Sequence, residues 1–411
     1  MQTAIALSAA TQYYLDLEEK YGAHNYHPLP VVLNRGEGVF VYDVDGKRYY
    51  DFLSGYSAVN QGHCHPKIIA ALVEQASQLT LTSRAFHNNL LGEYEAYISK
   101  CFGYDKVLPM NTGVEAVETA IKLSRKWGYE VKGIAANNAA IVVCEGNFHG
   151  RTTGVISFSS DPSATKNFGP YMNGYTAIPF NDITALEKAL QDKNVVAFLF
   201  EPIQGEAGVV VPDEGYYKKV RALCSEYNVL MIADEIQTGL ARTGKILACD
   251  HEDVRPDIVI LGKALSGGLL PVSAVLCDDA IMLTIKPGEH GSTYGGNPLA
   301  CKVAIAAMEV LQNENMAANA AAMGELLRDE LRKLQSPFIE TVRGKGLLNA
   351  IVIQHKNPDA AWDLCMALKE NGLLAKPTHG DKIRFAPPLL INKDQVLEAV
   401  GIIEKSLQQL L

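Results

Sequence analysis

The stretch Val229-Leu230-Met231-Ile232-Ala233-Asp234-Glu235 decides the fold: an uninterrupted apolar run stops at two adjacent carboxylates. Three other short runs share this design. Ala140–Cys144 ends at Glu145-Gly146, Val195–Phe200 at Glu201-Pro202, and Ile258–Leu261 at Gly262-Lys263. Longer segments of helical period separate them, the pattern expected of a parallel sheet covered by helices on both faces. Ligands of such sheets bind beyond the carboxyl ends of the strands, so the four polar endings are expected to line one crevice.

Upstream, Lys106–Met110 reads as another strand, followed by Asn111-Thr112-Gly113 and a helix with Val114, Val117, Ile121 and Ser124 on one face. Exposed N–H groups and the helix dipole make such a junction a natural phosphate site, although so short a glycine signature also fits an ordinary turn. Nearer the start, Gly38–Val44 and Arg48–Phe52 flank Asp45-Gly46, a hairpin pattern. From Pro298 the chain turns helical, with strand-like pieces at Gly346–Ile353 and Lys382–Ala386 and an amphipathic helix from Lys393. These features imply an N-terminal segment (1–55) that joins a C-terminal α+β lobe (298–411), around a large α/β domain (56–297).

At 411 residues the chain exceeds what one compact core usually supports, which also favours two domains. With 48% hydrophobic and 20% charged residues it has the composition of a folded globular protein, and its net charge of −9 offers no basic field for nucleic acid or acidic lipid. No apolar run is long enough to span a bilayer, and the first residues match neither a signal peptide nor an Arg-rich transit segment. The expectation is a cytoplasmic protein, mitochondrial only if a leader was removed, with small-molecule partners. Eight cysteines lie at least 24 residues apart, so they form no Cys-x-x-Cys motif and most are expected to be buried free thiols.

Lys263 follows an apolar strand and precedes Ala264-Leu265-Ser266-Gly267-Gly268, which delivers a long amine to the sheet edge beside a close-approach backbone. Burial there lowers an amine's pKa and makes it an imine-forming nucleophile; a solvated loop lysine is the alternative. Asp234 is a carboxylate whose burial is costly unless it meets a cation or strong donor. A protonated pyridine nitrogen satisfies it, and an Asp–pyridinium pair with a lysine Schiff base is the protein's usual contribution to pyridoxal chemistry. Taken alone, Asp234 fits an N-cap or an Arg partner equally well.

The runs VLMIADEIQTG (Val229–Gly239) and LGKALSGG (Leu261–Gly268) resemble the signature of fold-type-I, class-III aminotransferases. YGAHNYHPLP (Tyr21–Pro30), YSAVNQGHCHPK (Tyr56–Lys67), LPMNTGVEAVETA (Leu108–Ala120), EPIQGEAGVVVP (Glu201–Pro212), GEHGSTYGGNPLA (Gly288–Ala300) and RGKGLLNAI (Arg343–Ile351) are similar to the ornithine-using branch of that family. GNFHGRT (Gly146–Thr152) also matches but is shared with acetylornithine relatives. The resemblance covers nearly the whole chain.

It implies a mainly parallel seven-stranded sheet, pyridoxal 5'-phosphate as cofactor, and a homodimer with shared active sites. Lys263 would form the Schiff base and move the proton, Asp234 would hold the ring nitrogen, and Gly113 and Val114 would offer main-chain donors to the phosphate. Phe148 would stack on the ring, Gln237 would lie near its hydroxyl, and Ser292 and Thr293 would reach the phosphate of the neighbouring subunit. For substrates, Tyr26 and Tyr56 would admit ornithine and Arg151 would hold its α-carboxylate. Arg384 would bind the keto acid, with Glu206 as its gate. The implied reaction is L-ornithine plus 2-oxoglutarate giving L-glutamate 5-semialdehyde and L-glutamate in two ping-pong half-reactions.

The nearest rivals are a class-III ω-aminotransferase acting on acetylornithine or 4-aminobutyrate, then a decarboxylase or aminomutase on the same fold, then a non-catalytic protein that keeps the scaffold. His63-Cys64-His65 suggests metal only weakly, because successive residues of an extended chain face opposite sides; no metal is expected.

Overall fold

The computed structural model describes residues 7–410. Its strands, in chain order, are β1 (Leu33–Glu37), β2 (Phe40–Asp43), β3 (Arg48–Asp51), β4 (Lys106–Met110), β5 (Ala140–Cys144), β6 (Tyr175–Ile178), β7 (Val195–Phe200), β8 (Leu230–Asp234), β9 (Ile258–Leu261), β10 (Ser273–Cys277), β11 (Ile339–Lys345), β12 (Leu348–Ile353), β13 (Leu373–Leu374), β14 (Pro377–Thr378) and β15 (Lys382–Phe385).

The central sheet has the order β4-β10-β9-β8-β7-β5-β6. Every pairing in it is parallel except the two made by β10, which runs against both β4 and β9. Every residue of β7, β8 and β9 is buried, as expected of strands covered on both faces. The helix Gly113–Trp127 lies on one face, turning Val117, Ile121 and Ser124 inward. The helix Tyr216–Glu226 packs against β8 and joins a separate apolar cluster with β5 and β7 residues.

Two smaller sheets complete the fold. One, β1-β2-β3-β13, pairs the N-terminal hairpin with a strand from the far end of the chain, Leu373 opposite Tyr50. The other, β11-β12-β15-β14, is antiparallel. The hairpin turn forms where Asp45-Gly46 predicts it, with Gly46 at φ +85° donating its N–H to the carbonyl of Asp43. The helix Pro298–Asn313 packs on the helices Pro66–Ala76 and Asn89–Phe102 and shares one apolar core with C-terminal residues such as Leu364 and Ile403.

All eight cysteines are free thiols and six are buried; Cys64 is exposed and Cys101 half-buried. His63 meets Asp51 at 2.7 Å and His65 meets Glu314 at 3.3 Å, so carboxylates take both imidazoles of the His-Cys-His run. Among the described residues no helix is long and apolar enough to cross a membrane.

Candidate active site

Adjacent strand ends build the floor of one cleft. β8 terminates in Asp234, Lys263 follows β9 by two residues, Glu201 follows β7, and the loop after β5 carries Phe148 and His149. From the β4 side enters the first turn of the helix Gly113–Trp127, capped by the Thr112 hydroxyl on the Glu115 N–H and by the Glu115 carboxylate on the Thr112 N–H. That capping box leaves the Gly113 and Val114 N–H groups without an intrahelical acceptor, since first-turn donors have none. Together these elements enclose a cavity of about 260 Å³ lined by Gly113, Val114, Phe148, Asp234, Gln237 and Lys263 among others.

Asp234 is 5% exposed, with one carboxylate oxygen 2.7 Å from His149 Nδ1 and the other accepting the Ile236 N–H at 3.1 Å. The His149 side chain is fully buried, and its Nε2 has no protein partner. Lys263 adopts φ +43°, a left-handed conformation costly for a residue with a side chain, by about 1–3 kcal/mol. Burial lowers the Lys263 pKa and Arg384 adds to that, against the opposing pull of Glu206, Asp234 and Glu201. Burial also pushes the Glu201 carboxyl well above its ordinary range, with Asp234 reinforcing the shift.

A second cavity of about 210 Å³ opens beside the first and shares Phe148 with it; Tyr26, Tyr56, Arg151, Glu206 and Arg384 all line it. Arg384, on β15, is 1% exposed and donates through Nη1 to Glu206 Oε1 at 2.6 Å and to Gln237 Oε1 at 3.1 Å. Its Nε and Nη2 are buried with no protein acceptor. Gln237 Nε2 in turn donates to Glu206 at 3.2 Å. Burial alone would raise the Glu206 carboxyl, but Arg384, Lys263 and these hydrogen bonds hold it below its ordinary value. An alanine at Gly205 would put its Cβ 1.8 Å from Gln237 Oε1, so this position must be glycine for the three-residue contact to form.

Tyr56 reaches the cleft from a left-handed turn, Ser54 to Ser57, in which every φ lies between +50° and +69°. Asp51 Oδ1 pins that turn by accepting the N–H groups of Leu53 and Ser54, both at 2.8 Å. The Tyr56 ring centroid lies 5.2 Å from Arg384 Cζ, and burial raises the phenol's pKa. Arg151 Cζ lies 5.5 Å from the Phe148 ring centroid, while Tyr26 is 70% exposed at the rim.

The structure thus brings together eleven of the thirteen residues expected from sequence. Ser292 and Thr293 line neither cavity; Ser292 Oγ accepts from Asn111 Nδ2 at 3.0 Å, beside the helix N-terminus, and Thr293 is exposed. His149 and Lys376 were not anticipated from the sequence, and Glu201 was anticipated only as a strand ending in the crevice; all three line the clefts. His149 stands inside the quoted GNFHGRT run and Glu201 at a quoted strand end, so both carried a signal; Lys376 carried none.

These residues fit pyridoxal phosphate. Two unpaired N–H groups at a helix start suit a phosphate, a buried carboxylate suits a pyridinium, and a low-pKa amine suits a carbonyl. The cradle is also tight: a Cβ at Gly150 would lie 2.5 Å from Val114 Cγ2, and one at Gly113 would lie 3.0 Å from Ile236 Cδ1. A half-buried lysine and a buried aspartate on neighbouring strand ends of a mainly parallel seven-stranded sheet, beside such a cradle, define a pyridoxal-phosphate-dependent transferase of fold type I.

The model of the family described as aminotransferase class-III matches residues 21–407. A Drosophila melanogaster protein named ornithine aminotransferase, mitochondrial, is 64% identical over 406 residues, covering 99% of this chain and 94% of the relative. The crystal structure of the ornithine aminotransferase from Toxoplasma gondii superposes with a TM-score of 0.95 at 48% identity, covering 98% of this chain and 96% of that one. That of an acetylornithine aminotransferase from Elizabethkingia anophelis gives 0.89 at 60% identity, covering 97% and 99%. The chain belongs to the class-III aminotransferase family.

Proposed function

We propose that this aminotransferase moves the δ-amine of L-ornithine to a 2-oxo acid, foremost 2-oxoglutarate, releasing L-glutamate 5-semialdehyde and L-glutamate. The observation that carries this reading is the pair formed by the buried Arg384 and the half-buried Glu206 beside Lys263. An α-amino acid places its carboxylate next to the reacting carbon, where Arg384 would bind it. A δ-amine donor has no carboxylate there, and Glu206 neutralises the arginine in its place.

Bound pyridoxal phosphate supplies an amine carrier and an electron sink. Gly113 and Val114 would hold its phosphate through main-chain N–H groups, Asp234 its ring nitrogen, Phe148 the ring face, and Gln237 the ring hydroxyl. His149 orients Asp234, fixing the carboxylate where a cation must be held. Lys263 Nζ, kept readily deprotonated by burial, takes the proton from the substrate carbon that bears the amine and returns one to complete transfer. Arg151 holds the distant α-carboxylate of ornithine, Tyr26 and Tyr56 wall the path, and Arg384 turns to the 2-oxo acid when Glu206 lets go.

An absorbance spectrum of the reconstituted protein tests the reading. Ornithine should remove the cofactor band near the visible and 2-oxoglutarate should restore it, with no response from Lys263→Ala; a wild-type band indifferent to ornithine refutes it.

A second reading, N-acetylornithine as donor, is favoured by the likeness to the acetylornithine enzyme. Tyr26 and Tyr56, which share the cavity with Arg151, argue for ornithine, whereas Glu206 serves any δ-amine donor. Comparing kcat/KM for ornithine, N-acetylornithine and 4-aminobutyrate separates the three.

The working unit we propose is a homodimer in which Ser292 and Thr293 complete the partner's phosphate site. Their position on an exposed loop beside the helix N-terminus, next to Tyr294 at 58% exposure, supports this. Sedimentation should give a dimer, and Thr293→Ala should weaken cofactor retention. The division into a large domain (56–297) and a lobe from both chain ends is likewise our reading, supported by the β3–β13 pairing and tested by limited proteolysis. A cytoplasmic location is proposed, and cell fractionation decides between it and the organelle named for the fly relative.

A further inference from the structure

The cleft beside Lys263 holds a cation that the mechanism above does not use. Lys376 sits on the connection from β13 to β14, and β14 is hydrogen-bonded to β15, the strand that carries Arg384. The lysine lines the same cavity as Arg151 and Tyr26, with Nζ 5.8 Å from the Tyr26 ring centroid. Its neighbours in sequence are neutralised, Lys369 by Glu370 and Lys382 by Asp381. Among the described residues no carboxylate acts on Lys376.

The acids that share this cavity are otherwise engaged. Glu206 is bound to Arg384 and Gln237, and Asp161 accepts from the Ser163 N–H and hydroxyl at 2.8 and 2.7 Å. A half-buried ammonium with no counter-ion is costly, and burial lowers its pKa accordingly. In a chain of net charge −9 acidic partners are abundant, so an unneutralised cation in a substrate cleft calls for a substrate anion.

We propose that Lys376 is a specificity-determining residue that, with Arg151, binds the substrate carboxylate lying farthest from the reacting carbon. That group is the α-carboxylate of a δ-amine donor in one half-reaction and the second carboxylate of a dicarboxylic 2-oxo acid in the other. Arg151, Lys376 and Arg384 all line this one cavity, which gives it cationic side chains enough for a substrate that carries two carboxylates. The proposal deepens the ornithine reading and rests on it for the donor half only.

Two matched substrate pairs test it in Lys376→Met and Lys376→Arg. The acceptor pair is 2-oxoglutarate against pyruvate, which lacks the distant carboxylate, each followed by single turnover of enzyme loaded from L-glutamate. The donor pair is ornithine against 1,4-diaminobutane, the same amine without its carboxylate. Loss of one charge-assisted contact should lower each ratio of rate constants about tenfold in Lys376→Met, with recovery in Lys376→Arg. An acceptor ratio within twofold of wild type overturns the proposal. A wild type inert toward ornithine defeats the δ-transamination reading instead, and the acceptor ratio still judges Lys376.

Discussion

Glu206 and Arg384 lie 178 residues apart in sequence, yet Arg384 Nη1 donates to Glu206 Oε1 across 2.6 Å in the wall of one cavity. The guanidinium is almost fully buried while two of its nitrogens find no protein acceptor, so it is half satisfied by the protein and half available to a ligand. In the proposed reaction such a pair would neutralise the site for one substrate and open for the other.

Removing the gate should therefore change selectivity. In Glu206→Ala the free Arg384 favours carboxylates beside the reacting carbon, and kcat/KM for L-glutamate should rise relative to ornithine by about tenfold or more. Breaking a buried pair also leaves a charge uncompensated, so thermal stability should fall. Unchanged relative efficiencies with the two amino donors would sink the gate.

The Asp234–His149 contact should matter although His149 is not expected to touch substrate. Replacing His149 with Phe keeps a ring in the buried space and removes the 2.7 Å partner of Asp234. A loss of about 1.5–3 kcal/mol from a charge-assisted bond corresponds to roughly a tenfold to hundredfold fall in kcat or cofactor affinity. Equilibrium dialysis of the cofactor and a shifted absorbance profile with pH would register it; wild-type values for both would show that Asp234 needs no support.

Lys263 makes a stability prediction in the cofactor-free protein. Its folded pKa lies below the ordinary lysine value of about 10.4. Between the two values the unfolded chain binds a proton that the folded chain does not, so stability rises with pH across that window. Below the folded pKa the full burial penalty is present. Lys263→Met should thus melt higher than wild type at neutral pH, with the gap closing as pH climbs toward 10. A gap that widens with pH contradicts this.

Glu235, next to Asp234 but turned away from the cleft cavities, works in the other sense. It is fully buried, and burial raises its pKa to about 7 despite hydrogen bonds from the Thr238 hydroxyl and the Cys249 N–H. The folded state holds a proton that the unfolded state releases between about pH 4.3 and 7, so Glu235 costs stability progressively through that range and fully above it. Glutamine can accept from Cys249 and donate to Thr238. Glu235→Gln should be more stable than wild type at pH 8, by on the order of 2 kcal/mol, and nearly equal at pH 4.5. Chemical denaturation at the two pH values measures it.

What the sequence determined by itself is local. Ala140–Cys144, Val195–Phe200 and Ile258–Leu261 are strands with the bounds their apolar runs predict, and the Asp45-Gly46 hairpin and the helix from Lys393 form as read. Buried-strand hydrophobicity and turn chemistry act over a few residues, so they are written in the order of the chain. Lys263 and Asp234 were legible for the same reason, as polar residues at the ends of such runs.

The tertiary structure alone decided what meets what. β10 is as apolar as its neighbours, and only packing shows it inserted antiparallel between β4 and β9. His149 became Asp234's partner because the β5 loop folds over the end of β8, and Lys376 reached the cleft because β14, which follows it, pairs with the strand that carries Arg384. His63 went to Asp51 at the end of β3 and His65 to Glu314, far along the chain. Charge neutralisation and close packing are long-range properties: a cation is free or paired according to what the rest of the fold brings within a few ångströms, and no stretch of sequence records that distance.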